Sequence, residues 1–166
     1  MSVAFQIPAE PDIKMFPGKK MMGLRRSMTF ADNKTSELWG AFMPRRHEIQ
    51  NPVGNELYSI QSYPFSFFNP FNPMTSFEKW AAMEVSDFDF VPDGMETLII
   101  PGGGYAVFIY HGDARNASPF FQYIFSKWLP ASGYQLDARP HFEILGEKYK
   151  HNDAGSEEEV WIPISV

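Results

Sequence analysis

The sequence predicts an α+β fold built from two similar strand–helix–strand–strand halves, and three observations predict it. First, the chain repeats itself. Phe16-Pro17-Gly18-Lys19-Lys20-Met21-Met22-Gly23-Leu24 reads like Ile100-Pro101-Gly102-Gly103-Gly104-Tyr105-Ala106-Val107-Phe108, each an apolar residue, a Pro-Gly turn and a mostly apolar run. Second, Leu38-Trp39-Gly40-Ala41-Phe42-Met43-Pro44 answers Ile124-Phe125-Ser126-Lys127-Trp128-Leu129-Pro130, two stripes at helical spacing that each end on proline. Third, the spacing holds, with Pro17 and Pro101 84 residues apart and Pro44 and Pro130 86 apart. A duplicated unit with an apolar face buries it against its twin, and the seam is a natural place for a ligand pocket.

Taken in order, residues 1–11 read as a tail and residues 12–166 as one domain, with halves of about 12–90 and 91–166. Residues 12–29, split by Pro17-Gly18, read as two strand pieces with Met22, Leu24 and Met28 at alternate positions. Asn33 or Thr35 can cap a helix carrying Leu38, Trp39, Phe42 and Met43, which Pro44 closes for want of a backbone donor. Residues 55–63 and 79–85 are strand-like. Between them, residues 64–74 hold four Phe among three Pro, which no regular element accommodates. So apolar a loop folds back as a lid or plugs a gap in the core.

The second half opens with a strand at 97–101, the Gly102-Gly103-Gly104 bend and a strand at 105–111. Ser118, followed by Pro119, can cap a helix whose stripe is Phe121, Ile124, Phe125, Trp128 and Leu129, ended by Pro130 and Gly133. Strands follow at 141–149 and 158–165. The glycine run is not a phosphate loop, because strand-forming Tyr105-Ala106-Val107-Phe108 follows it instead of a helix N-terminus. A bend or bulge is its expected use.

Composition narrows the function classes. A net charge of −6, with no basic cluster larger than the pairs Lys19-Lys20, Arg25-Arg26 and Arg45-Arg46, argues against the basic stripe that direct nucleic-acid binding needs. The chain has no cysteine, which removes disulfides, thiolate metal sites and a cysteine nucleophile. His47, His111, His141 and His151 lack metal-ligand spacing, and Gly-x-Ser-x-Gly is missing, so no metal and no cofactor is expected. No secretory signal and no membrane-length apolar run is visible, so the expected location is the cytoplasm.

Sixteen Phe, seven Tyr and four Trp are more ring surface than a small core needs, and some of them are expected to line a cavity. Glu143 stands out among the carboxylates, since it lies in a strand with apolar neighbours on both sides. By alternation Phe142 and Ile144 share one face while Glu143, Leu145 and Tyr149 share the other. If the helices cover the first face, Glu143 points into the opposite, concave one, where desolvation raises its pKa. The same alternation sets Trp161 opposite Val160, Ile162 and Ile164, and Trp80 has a similar place in the first half. An acid ringed by Trp and Tyr suits a flat aromatic cation.

Pro101-Gly102-Gly103-Gly104-Tyr105-Ala106-Val107-Phe108, Trp128-Leu129-Pro130-Ala131-Ser132-Gly133-Tyr134, Arg139-Pro140-His141-Phe142-Glu143 and Glu159-Val160-Trp161-Ile162-Pro163-Ile164 together resemble the GyrI-like small-molecule-binding family. That domain is also the effector-binding part of some AraC- and MerR-type transcription regulators. The resemblance implies two units related by a pseudo-two-fold axis, forming an antiparallel sheet with helices on one face and a central groove. It matches the family's pocket glutamate to Glu143. The tail before the first strand is too short for a helix-turn-helix, so a standalone member is expected.

The reading is therefore a binding protein for a hydrophobic, often cationic, aromatic small molecule. Glu143 is its anchor, Trp80, Trp161, Tyr105 and Tyr149 the site's other residues, and Phe67, Phe68 and Phe71 its lid. Two alternatives stay open. One is an enzyme that hydrolyses electrophilic, cyclopropane-bearing aromatic compounds, with Glu143 as general base and Tyr105 or Tyr149 as proton donor. The other is an inhibitor acting through a protein partner.

Overall fold

The computed structural model describes residues 7–68, 70–112, 117–146 and 157–165. The first half runs β1 (Asp12–Phe16), β2 (Lys19–Met28), α1 (Thr35–Phe42), β3 (Leu57–Ser62) and β4 (Phe77–Val85). The second runs β5 (Glu96–Ile100), β6 (Gly103–His111), α2 (Ser118–Tyr123), a π-helical turn (Ile124–Trp128), α3 (Leu129–Ser132), β7 (Gln135–Leu136), β8 (His141–Leu145) and β9 (Glu157–Ser165). Every pairing is antiparallel, in the order β1-β6-β9-β8-β3-β4-β2-β5, with β7 beside β9.

The two Pro-Gly motifs are corners between halves. Before its corner each long strand pairs with the other half, β1 with β6 and β5 with β2; after it, β2 pairs with β4 and β6 with β9. The corners touch. A Cβ on Gly102 would lie 2.9 Å from the Phe16 carbonyl oxygen, and Gly18 has φ of 84° against the Gly102 backbone. Only glycine combines that approach with that dihedral. Gly103 answers a different need, since a Cβ there would sit 2.5 Å from the Arg139 guanidinium. Arg139 lies over the Tyr105 ring at 4.7 Å and donates to the Gly104 and Ile164 carbonyls.

Since the corners link the two ends of the strand order, the sheet must curl. Ring contacts across intervening strands record it: Phe16 on β1 lies 5.0 Å from Phe142 on β8, although β6 and β9 stand between them in the order. Inside the curl Phe16, Tyr58, Trp80, Tyr105, Phe142 and Trp161 form one core shared by both halves. On the outer face each helix has its own. Leu38 and Phe42 of α1 pack on Met22, Ala81 and Met83, while Phe120, Ile124 and Trp128 pack on Ala106, Phe108, Val160 and Ile162.

Two helix ends depart from the sequence reading. Pro44 ends α1, but the chain continues as a 3-10 turn over Met43–Glu48. Pro130 ends nothing, being inside the run that stops at Gly133 with φ of 83°. Proline supplies no donor to the carbonyl four residues back and crowds it, and the π-helical turn just before it absorbs the misfit. Ser118 is the first residue of α2 instead of its cap, the cap position falling on Ala117. The expected strand at 141–149 ends at Leu145, beyond which residues 147–156 are outside the described region.

Candidate ligand-binding groove

Two helices side by side on one face leave the central strands uncovered between them. A groove of about 1550 Å³ occupies that gap. One wall is α1, with Thr35, Ser36 and Trp39; the other is Ala117 and Phe121 at the start of α2. The floor is Leu57 and Ser59 on β3, Lys79 on β4, Glu143 and Leu145 on β8, and Glu158 on β9. β3 and β8 pair at the middle, with Ser59 opposite Glu143 and Gln61 opposite His141.

Glu143 accepts a long hydrogen bond from Gln61 Nε2 at 3.4 Å, and the same amide donates to Ser59 Oγ at 3.2 Å. Burial pushes the Glu143 carboxyl up to about 8, and the charge of Glu158 adds to the rise against Lys79 and Gln61. Glu158 sits on the same face of β9 as Val160, which is the partner of Glu143. Burial raises it to about 7 in spite of Lys79. Lys79 moves the other way: burial lowers its pKa, while Glu143 and Glu158 oppose the fall. Its Nζ donates to Thr35 Oγ1 at 3.1 Å. The floor of the groove thus carries two half-buried carboxyls and the Lys79 nitrogen, between the rings of Trp39 and Phe121.

Glu143 therefore faces the groove as expected, but the face is the opposite of the one expected. The helices cover the side of Glu143, not that of Phe142. Trp80, Tyr105 and Trp161 are corrected with it: they are buried in the core inside the curl, and none of them borders the groove. Trp161 stacks on Phe142 at 5.3 Å, and the Tyr105 hydroxyl donates to the Pro140 carbonyl at 2.8 Å. Among the described residues the inner side of the curl is packed by this ring cluster. Tyr149 lies outside the described residues.

The aromatic insert divides. Phe67 is buried against Tyr63 and Phe77, so it plugs a core gap. Phe68 reaches across the halves to stack on Phe125 at 4.8 Å, beside His141. Phe71 is half-exposed against Phe30. None of the three borders the groove. His141, buried among Tyr63, Phe68 and Phe125, has its pKa lowered to about 3 by that burial.

Sequence reasoning missed Lys79, Glu158, Trp39 and Phe121 as site residues. Parity held the signal for two of them. Once Val160 and Ile162 face a helix, so does Glu158, and Lys79 alternates with Ala81 and Met83 in the same way.

Comparison with known proteins identifies the fold and the family. The GyrI-like small molecule binding domain matches residues 9–165. The transcriptional regulator BrlR of Pseudomonas aeruginosa is 29% identical over 150 residues, covering 89% of this chain and 53% of that protein. The chain thus spans about half the length of that relative. Among solved structures, SAV2435 bound to tetraphenylphosphonium superimposes with a TM-score of 0.72 at 11% identity, over 95% of this chain and 94% of that one. The EcmrR C-terminal domain gives 0.68 at 16% identity, over 94% and 97%. The α+β fold, the antiparallel sheet with its two helices, and a match over nearly the whole length place this chain in the GyrI-like family of small-molecule-binding domains.

Proposed function

We propose that the groove between α1 and α2 binds hydrophobic, planar organic cations in the cytoplasm, with Glu143 and Glu158 as the anionic partners. Trp39 and Phe121 are its aromatic walls. The observation that carries the reading is the pair of carboxyls on the floor of a large, ring-walled groove. Their raised pKa values mean that water poorly compensates their charge, so an arriving cation supplies what the site lacks. A flat aromatic cation also gains cation–π attraction and apolar burial from the walls. That SAV2435 is bound to tetraphenylphosphonium makes this cation, tetrahedral at phosphorus but carrying four flat rings, a probe of the charge and ring contacts. Titration with it should quench Trp39 fluorescence, and Glu143→Gln should weaken binding at least tenfold, about 1.4 kcal/mol. Unchanged affinity in that variant would remove Glu143 from the reading. The net charge of −6 argues for action without direct contact to nucleic acid.

A second reading is hydrolysis of electrophilic aromatic compounds with Glu143 as general base. In its favour, the Glu143 carboxyl titrates near working pH. Absence of turnover across a panel of cyclopropane-bearing aromatics would exclude it.

A further inference from the structure

We propose that Lys79 is a covalent capture site for hydrophobic aromatic aldehydes, which its amine takes up as an imine inside the groove. The inference rests on the groove being a binding site for aromatic small molecules.

Lys79 is the only lysine among the described residues that border the groove. It is the third residue of β4 and lies between Arg26 of β2 and Gln61 of β3, paired on both sides, so its base is fixed. Its tip is fixed as well. Thr35 Oγ1, at the first residue of α1, accepts from Lys79 Nζ at 3.1 Å and donates to Met28 Sδ at 3.7 Å. The direct partner of the amine is therefore a hydroxyl. The carboxyls of Glu143 and Glu158 act on it through space, unlike at Lys19, which meets Glu84 at 3.2 Å. A lysine held in a concave, partly dry site without a direct ion pair gives up its proton more readily than a solvated one, and the free amine is the form that attacks carbonyls. Burial acts in that direction on Lys79. Cation binding does not need this arrangement, because an ammonium beside the two acids competes with an incoming cation.

The remaining parts of an imine site are also present. The Lys79 lone pair attacks the aldehyde carbon, and the carbonyl π pair moves to oxygen, which takes a proton from the Glu143 carboxyl. The resulting ammonium returns a proton to that carboxylate, leaving a neutral carbinolamine. A second transfer from Glu143 protonates the hydroxyl, water departs, and the nitrogen lone pair closes the C=N bond. Loss of the iminium proton to the carboxylate restores the carboxyl. The sum is amine plus aldehyde giving imine plus water, with no other reactant. Glu143 suits both transfers because it remains largely protonated at neutral pH. Trp39 and Phe121 give an aryl group apolar surface on either side.

The test uses 2-naphthaldehyde, with 2-naphthalenemethanol as the analogue that cannot form an imine. The whole protein is incubated with the aldehyde at neutral pH, reduced with cyanoborohydride, and its adducts are mapped by peptide mass spectrometry. The expected result is a naphthylmethyl adduct predominantly on Lys79, its loss in Lys79→Arg, and slower formation in Glu143→Gln. The wild-type map decides by itself if either variant fails to fold. Labelling spread over the chain's other lysines as fast as at Lys79 would overturn the proposal, as would no adduct while the alcohol binds. If neither compound is retained while tetraphenylphosphonium still binds, the covalent step falls and the groove reading stands; if that cation is not bound either, both fall.

Discussion

Lys79 and Glu143 project from β4 and β8 into one groove with only β3 between them. Each leaves the other's charge partly uncompensated. The Glu143 carboxyl is raised to about 8 chiefly by burial, so the folded protein holds a proton there that the unfolded chain gives up near the model-peptide value of 4.5. The stability that this group contributes is full below that lower value and is lost as pH rises through about 8. Denaturant melts of wild type and Glu143→Gln should therefore diverge over that window, the wild type losing more stability as pH rises. Parallel pH profiles would contradict it.

His141 should act with the opposite sign. Its pKa is depressed from 6.5 to about 3 by burial among rings, so the folded protein refuses a proton that the unfolded chain accepts. The corresponding stability is present above 6.5 and is lost as pH falls toward 3. His141→Phe should flatten the acid limb of a thermal-melt profile, and an unchanged acid limb would count against the burial argument.

The corner where β1 meets β6 should be intolerant of a single methyl group. Gly102→Ala is expected to cost about 1–3 kcal/mol, because the added Cβ meets the Phe16 carbonyl oxygen at 2.9 Å. Gly40→Ala is the control. Its Cβ meets nothing within 4 Å in α1, and it should stabilise by about 0.5–1 kcal/mol. Chemical denaturation of both variants measures the contrast.

The insert should divide on mutation as it divides in space. Phe67→Ala is expected to cost about 3–5 kcal/mol as a buried ring, whereas Phe65→Ala, at a residue 93% exposed, should stay within about 0.5 kcal/mol. Equal effects would mean that the segment packs as a unit.

The halves, the corners and the helix stripes could be read from the chain because each rests on local chemistry: Pro-Gly pairs, 3.6-residue stripes and alternation. That Glu143 and Phe142 lie on opposite faces of β8 was legible for the same reason. Which face of β8 the helices cover was not, because alternation fixes that Phe142 and Glu143 part company but not which of them goes under a helix. One reversal of that choice carried Trp80, Tyr105 and Trp161 to the wrong side together. The deciding physics is the curl of the sheet, imposed by two corners 84 residues apart, and no local window contains both. Pro130 misled for a related reason, since whether a helix breaks at proline or widens before it depends on the packing of Ile124 and Trp128 on β6 and β9.

The most direct test of the central claim is a tetraphenylphosphonium titration followed by tryptophan fluorescence across pH 6 to 9, in wild type, Trp39→Phe and Glu143→Gln. A cation favours the carboxylate, so wild-type affinity should climb with pH, by up to about tenfold per unit below the Glu143 pKa. The climb should shrink in Glu143→Gln, and the quenching should vanish in Trp39→Phe although Trp80 and Trp161 remain. Quenching that survives without Trp39, or affinity indifferent to both pH and Glu143, would contradict the account.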